Sequence, residues 1–497
     1  MPNSRGEKTF LAVDIGAESG RAMLGRFQSG VLTLHEIARF ANEPVEYGGS
    51  LHWDTPRLWF EIKRALQTVR DTPPDGIAVD TWGVDYALLG EAGQLLENPH
   101  HYRDSRTVGM MDAVFKVVPR EDVYRATGIQ FMSINTLYQL FAAKLKTPRL
   151  LAAADRLLTV PDLFHYWLTG NAVCEFTNAS TTQMIDVHTR TWANGLLTRL
   201  DLPAHLPCPV VEPGAVIGCV LPRVEPALSN TPVIAPASHD TGSAVAAIEM
   251  HGDTAFISSG TWSLVGIELD APVVTDEALR LNFTNEGGVC GTTRLLKNVM
   301  GLWMLQGCRK SWAARGVQHD YGDLVQAAKR EPAFRQLVNP DAERFLRPAC
   351  MVSAIDAFCR ETDQPVPAGV GAYVRAVLES LALKYRRVIR ELERLTQREI
   401  RNVRIIGGGS RNEMLNQFTA DATGKRVLAG PVEATALGNI AMQMLATGVT
   451  SSLRGSRQII DRSYRTDIFE PRYPAKWDEQ AERFEQICEE TCLKHSA

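Results

Sequence analysis

Residues 10–27 read FLAVDIGAESGRAMLGRF, and the order of apolar and turn-forming residues in this stretch decides the architecture. An apolar run from Phe10 to Val13 ends in Asp14; Gly16, Ser19 and Gly20 follow, and a second apolar run, Ala22 to Leu24, returns. This pattern predicts a strand, a tight glycine turn and an antiparallel strand. Glycine lets the backbone approach a ligand closely, and successive N–H groups in such a turn make an anion nest. Asp14, just ahead of the turn, is placed to hold a divalent cation beside a bound anion. The expected phosphate site therefore sits on a hairpin rather than on a strand-to-helix loop.

Outward from this hairpin, VLTLHEIARF (31–40) reads as a third strand, and PRLWFEIKRALQTVR (56–70), opening on Pro56, as a helix. GIAVD (76–80) has the composition of a buried strand and leads into TWGVDYALL (81–89). Three strands, a helix and a strand make a mixed α/β order with an antiparallel meander. The stretch 200–237 is rich in proline and carries no long periodic helix; SHDTGSAVAAIEM (238–250) then suits a helix start with Asp240 or Thr241 near its N-terminus. TAFISSGTWSLVGIEL (254–269) repeats the hairpin pattern. An amphipathic helix is expected over 372–395, a buried strand in VRIIGGG (403–409), a helix from about Glu413 and another over 433–445. A hairpin-led pattern in each half suggests a duplicated fold, a boundary near residue 245 and a ligand cleft between the halves.

A length of 497 residues exceeds what one core usually serves, so two or three domains are expected. A net charge of −4 with no long single-sign run argues against a nucleic-acid or anionic-membrane surface. No apolar run approaches the length of a membrane span, and the N-terminus shows no hydrophobic signal core, so a cytoplasmic protein is expected. The nine cysteines are scattered and odd in number, as reduced thiols would be. Cys488, Cys492 and His495 read as side chains of a terminal helix, since no second half of a zinc site accompanies them.

The commonest nucleotide and hydrolase signatures fail. GGGSRN (407–412) lacks the third glycine of a dinucleotide loop, Gly424-Lys425 has no phosphate-loop context, and no Gly-x-Ser-x-Gly elbow occurs. Three Gly/Ser/Thr turns remain to be explained. Asp240 reads either as a helix cap or as a base, Gly83 as a turn or as a place where ligand meets backbone. Residues 102–106, YRDSR, read as a solvated charge cluster or as internal ion pairs.

Taken together, VDIGAESGR (13–21), IAVDTWGVDYALL (77–89), YRDSRT (102–107), ASHDTGSAV (237–245), SSGTWSLVG (258–266), TNEGG (284–288), LKNVMGLWMLQ (296–306), IIGGGSRNEMLNQFTADATG (405–424) and AGPVEATALGNI (429–440) resemble the FGGY carbohydrate kinases of the actin/sugar-kinase/heat-shock ATPase superfamily. The resemblance runs from about residue 9 to the 460s. It implies an α/β fold of two similar ribonuclease-H-like domains, each a mixed five-stranded sheet flanked by helices, with an interdomain catalytic cleft. Residues 1–245 would bind sugar and carry the first phosphate loop; residues 246–497 would bind nucleotide and end in helices. The implied reaction is ATP-dependent phosphorylation of a small-molecule sugar, with Mg²⁺, in a monomer or small homo-oligomer. By the same resemblance Asp240 would be the catalytic base, and Gly83, His239, Asp240, Thr241 and Asn298 would meet the sugar. Ala17, Glu18, Ser19, Gly20 and Arg21 would form the first phosphate loop, with Thr261, Gln306 and Gly408 also on the nucleotide and Asp14 and Asp240 on the metal. Glu18 is a carboxylate among phosphate-binding residues: either it points away or it lowers nucleotide affinity unless Arg21 or a cation offsets it. A kinase for a related ketose and a non-catalytic ATP-binding regulator are the alternative readings.

Overall fold

A computed structural model describes residues 6–493, so His495 of the terminal group lies outside the described residues. The chain divides into two compact units, each assembled from separated stretches: the first from residues up to Glu249 with Glu268–Leu295 and Glu433–Arg465, the second from Met250–Ile267, Leu296–Val432 and the stretch from Thr466 onward.

In the first unit the opening hairpin forms as expected: β1 (Lys8–Ile15) pairs antiparallel with β2 (Ser19–Gln28), which pairs antiparallel with β3 (Val31–Ala41). On the other side β1 runs parallel to β4 (Gly76–Thr81). The sheet is completed by β5 (Val216–Cys219) and β6 (Pro232–Ile234), in the order β5-β6-β4-β1-β2-β3. The whole of β4 and all but the first two residues of β1 are buried, which explains their unbroken apolar runs: strands covered on both faces need no alternation. The helix Thr55–Val69 begins where Pro56 placed it, with Asp54 Oδ1 accepting from the Arg57 N–H at 3.1 Å.

The helix Ala434–Ala446 packs on β1 and β4 and lies close against the helix Asp240–Ala246. Gly438 permits that approach, because a Cβ there would strike the Ser243 carbonyl.

The second unit repeats the same order. The hairpin β7 (Thr254–Ser259) and β8 (Trp262–Leu269) is flanked by β9 (Thr293–Met300) on one side and by β10 (Asn402–Ile406), β11 (Arg426–Ala429) and β12 (Asp467–Phe469) on the other. β7–β10–β11 are parallel and β12 is antiparallel, matching β1–β4–β6 and β5 strand for strand. The two sheets contain six and seven strands where five were expected. The five-stranded arrangement is present in each; the first is extended by β5, and the second by β12 at one edge and Thr284–Gly287 at the other, strands of three or four residues too short to give a strand signal. The expected helix over 372–395 is Val370–Thr396, buried along one stripe.

Candidate active site

β1 brings Asp14 to the end of the first sheet, where the register sets it opposite Arg21 across the hairpin and beside Asp80 on the parallel neighbour β4. Arg21 donates from Nε and Nη2 to Asp14 Oδ2 at 3.0 and 2.8 Å and also pairs with Glu433. Asp80, which sequence reasoning passed over as the last residue of a buried strand, is fully enclosed. Its Oδ2 accepts from Asn439 Nδ2 at 2.6 Å, and Asn439 is held in turn by Gln443 Nε2 at 2.8 Å. Its Oδ1 is buried without a hydrogen-bond partner. Burial, then the charges of Asp14 and Asp240, push the Asp80 carboxyl well above the usual carboxylate range. Asp240 is also raised, by the surrounding protein and by Asp14, with His239 pulling the other way. These mutually repelling oxygen donors, one with an unmet lone pair, fit a hard divalent cation such as Mg²⁺.

The first turn is closed by the Gly16 N–H donating to Ser19 O at 3.0 Å, while Asn42 Nδ2 donates to Gly16 O at 2.8 Å and the Asn42 N–H to Glu18 O at 3.1 Å. A Cβ on Gly20 would fall within the Phe40 ring, which would have to move to make room for it. Ala17 is half-buried; Glu18 and Ser19 are exposed.

The segment carrying Asp240 is held by a buried polar network. The Ser238 N–H donates to Glu175 Oε2 at 2.9 Å and the His239 N–H to Thr177 Oγ1 at 3.2 Å. Thr177 Oγ1 itself donates to Glu175 at 2.6 Å. Burial raises Glu175 to about 8, against the hydrogen bonds that favour its charge. Ser238 O accepts from the Thr81 N–H at 2.9 Å, tying this segment to the end of β4. His239, not Asp240, occupies the cap position, and Asp240 is the first residue inside the helix. Asp240 Oδ1 accepts from the Thr241 N–H at 2.5 Å and Thr241 Oγ1 at 3.2 Å, and its side chain stays 30 % exposed.

His239 and Asp240 do approach one another, Nε2 to Oδ1 at 3.5 Å, although neighbours in sequence often diverge. Behind His239 lie two residues whose roles no local signal revealed: Nδ1 is 3.3 Å from both Glu286 Oε2 and Arg294 Nη2. Arg294 is fully buried and donates from Nε to Gly287 O at 2.9 Å; burial lowers its guanidinium from its ordinary value, against the pull of Glu286.

Gly83 faces the Thr181 hydroxyl, where an added Cβ would come within 2.8 Å, and that same hydroxyl accepts from the Val84 N–H at 2.9 Å. Nearby, Asp85 gathers the indoles of Trp53 and Trp82 at 2.6 and 2.9 Å and Gln139 Nε2 at 2.7 Å; burial lifts it to about 6. The charged stretch YRDSRT is therefore not a solvated run. Asp104 is buried and accepts from the Leu51 and Arg106 N–H groups, each at 2.8 Å, and Arg106 donates to Gln139 Oε1 at 2.8 Å.

Thr261, Asn298, Gln306 and Gly408 lie in the second unit. Thr261 sits in the β7–β8 turn, whose carbonyls receive the first N–H groups of the following helix: Leu302 to Gly260 O at 3.1 Å and Trp303 to Thr261 O at 3.0 Å. Gln306 stands on that helix, Trp303–Ala313, with its Oε1 buried and unpartnered. Asn298 is on β9. Gly407 takes φ +80°, so the glycine turn packs on Ser259 at the end of β7; Gly408 has open space where a Cβ would stand. A free acceptor, an unfilled glycine edge and a tied hairpin turn fit a nucleotide.

A duplicated strand order, a glycine hairpin at each sheet's end and carboxylates beside the first of them define a phosphoryl-transferring sugar-kinase fold. Residues 9–247 match the N-terminal domain and residues 255–447 the C-terminal domain of the FGGY family of carbohydrate kinases, and the chain belongs to that family. It is 46 % identical over 477 residues to a rhamnulokinase of Bacteroides thetaiotaomicron, covering 95 % of this chain and 98 % of that one. It is 44 % identical to a rhamnulokinase of Pectobacterium atrosepticum, covering 97 % and 96 %. Among solved structures, gluconate kinase from Lactobacillus acidophilus superposes with a TM-score of 0.78 at 17 % identity, covering 99 % of this chain and 98 % of that one. Plasmodium falciparum glycerol kinase with ADP gives 0.77 at 16 %, covering 97 % and 98 %. Among the described residues no helix is long and apolar enough to cross a membrane.

Proposed function

We propose that this chain transfers the γ-phosphoryl group of ATP to the C1 hydroxyl of L-rhamnulose, giving L-rhamnulose 1-phosphate and ADP. Near-full-length similarity to rhamnulokinases supports the choice of sugar. The observation that carries the chemistry is Asp240, a partly open carboxylate oriented by Thr241, next to His239 and near the charge of Asp14.

In this reading Asp240 takes the proton as the C1 oxygen bonds to phosphorus and the bond to the ADP oxygen breaks. The transition state is loose, so orienting the hydroxyl is most of the base's task. Its raised pKa makes Asp240 a better proton acceptor than an ordinary aspartate. His239 and Thr241 position the sugar, with Gly83 and Asn298 beside it. The N–H groups of residues 17–21, with Arg21, hold phosphate, while Thr261, Gln306 and Gly408 serve the nucleotide. Asp14 and Asp240 would hold Mg²⁺, which supplies charge neutralisation on the phosphates when bound. In this reading residues 1–245 carry the first phosphate loop and, with Asn298, sugar recognition, and residues 246–497 the nucleotide.

Coupled ADP release measured with L-rhamnulose, L-fuculose and L-xylulose tests the substrate; faster turnover on either of the other two refutes it. Asp240→Asn is expected to fold and to bind sugar with turnover almost abolished, and an active variant removes Asp240 from the role of base.

A further inference from the structure

We propose that His52, Glu97 and His100 form a binding site for a divalent transition-metal ion of the Zn²⁺ or Co²⁺ class, distinct from the carboxylates around Asp14. One donor atom from each of the three residues lies within 4.8 Å of the others. The edge between His100 Nε2 and Glu97 Oε1 measures 3.4 Å. That is the ligand-to-ligand spacing of a tetrahedral ion with bonds of about 2.1 Å.

The backbone sets this grouping. His52 lies on the short hairpin Pro44–Tyr47 and Ser50–Trp53, and an antiparallel bridge pairs it with His100. Residues opposite one another across such a bridge present side chains to the same face, and the two imidazole rings lie 4.2 Å apart. Glu97, three positions before His100, contributes the carboxylate.

Two further observations concern the ring nitrogens. His52 Nδ1 lies 3.2 Å from Ser50 O. A carbonyl only accepts, so Nδ1 carries the hydrogen and the Nε2 lone pair is left available. Metal-bound histidines are commonly fixed in their tautomer by this kind of bond. The His100 side chain is 90 % buried, since only 10 % of its surface is exposed, and Nε2, 3.4 Å from Glu97 Oε1, is its nitrogen in the donor set. Two imidazoles and one carboxylate favour Zn²⁺ or Co²⁺ over Mg²⁺, which prefers oxygen donors. Glu97 is 30 % exposed and opens the group to solvent.

An ion here would tie the hairpin to the segment 97–100. The next residue of that hairpin, Trp53, donates to Asp85, and its ring lies 4.0 Å from that of Trp82, tilted by 37°, one residue before Gly83.

The test uses the full chain without a histidine tag, in excess Mg²⁺ so that all-oxygen sites are filled, titrated with Co²⁺ alone. One equivalent should saturate a visible absorption band that Zn²⁺ abolishes, with a rise in melting temperature. Glu97→Gln, a change at a half-exposed position, and His100→Gln should each weaken Co²⁺ binding about tenfold or more. Circular dichroism and metal-free melting confirm that each variant is folded. Absence of the band in the wild-type protein, or its survival at unchanged affinity in a folded Glu97→Gln variant, overturns the proposal.

Discussion

Asp80→Asn should make the metal-free protein more stable while weakening its response to magnesium. In the parallel pair Asp14 and Asp80 sit in register, so their carboxylates are separated by about one strand spacing, roughly 5 Å. Two like charges at about 5 Å with an effective dielectric of about 20 repel by about 3 kcal/mol. Burial is the larger cause and acts in the same direction, so Asp80 is raised well above its ordinary value. The folded state therefore holds the Asp80 proton more tightly than the unfolded chain. That contribution to stability is fully present below the unfolded pKa of 3.8 and is lost as pH rises through the folded value. Asparagine stays neutral, and its amide oxygen still accepts from Asn439. The stability of Asp80→Asn relative to wild type should accordingly grow with pH, by at most about 1.4 kcal/mol for each unit crossed. Urea unfolding in chelator at about pH 5, 7 and 9 measures the difference directly. With Mg²⁺ and ATP added, the wild type should gain more in melting temperature than the variant. A variant less stable than wild type at the higher pH values, or a difference independent of pH, would refute the reasoning.

Other changes test the packing around the same site. Gly438→Ala drives a methyl into the Ser243 carbonyl and should cost about 3 kcal/mol or more by separating the two helices, read as a lowered midpoint in urea. Glu286→Ala leaves the buried Arg294 guanidinium without its nearby carboxylate and should destabilise by about 3–5 kcal/mol; Glu286→Ala combined with Arg294→Met should recover part of that loss. Glu18→Ser should leave the ATP KM within about twofold, because the exposed carboxylate acts through water; a several-fold drop in KM would show that Glu18 opposes the phosphates.

The two hairpins were readable because each couples buried apolar runs to a Gly/Ser turn, a signal contained within about 18 residues. The Val370–Thr396 helix was readable from its single apolar stripe. By contrast, 433–445 announced a helix but not its partner, since amphipathicity shows that a face is buried without naming what covers it. The role of Asp80 was hidden for a related reason: its neighbours Asp14 and Asn439 are set by strand register and by a distant helix. Glu286 and Arg294 surround His239 through contacts about 50 residues apart in sequence, and Glu175 looked like any carboxylate before a helix. The turn residues and Asp240 could be proposed from the sequence because their motifs are local; the groups that hold them in place could not.

The return of Glu433–Arg465 to the first unit bears on how the protein is made. Asn439, which grips Asp80, follows it by 359 residues, and Gln443 reaches back to the Leu11 carbonyl. At ordinary elongation rates that separation is roughly 20–70 s of synthesis. Throughout that interval the nascent first sheet lacks the cover of its last helix, and uncovered apolar surface of this kind is prone to aggregation. A chain ending before Glu433 would keep the face of β1 and β4 that this helix covers open to solvent.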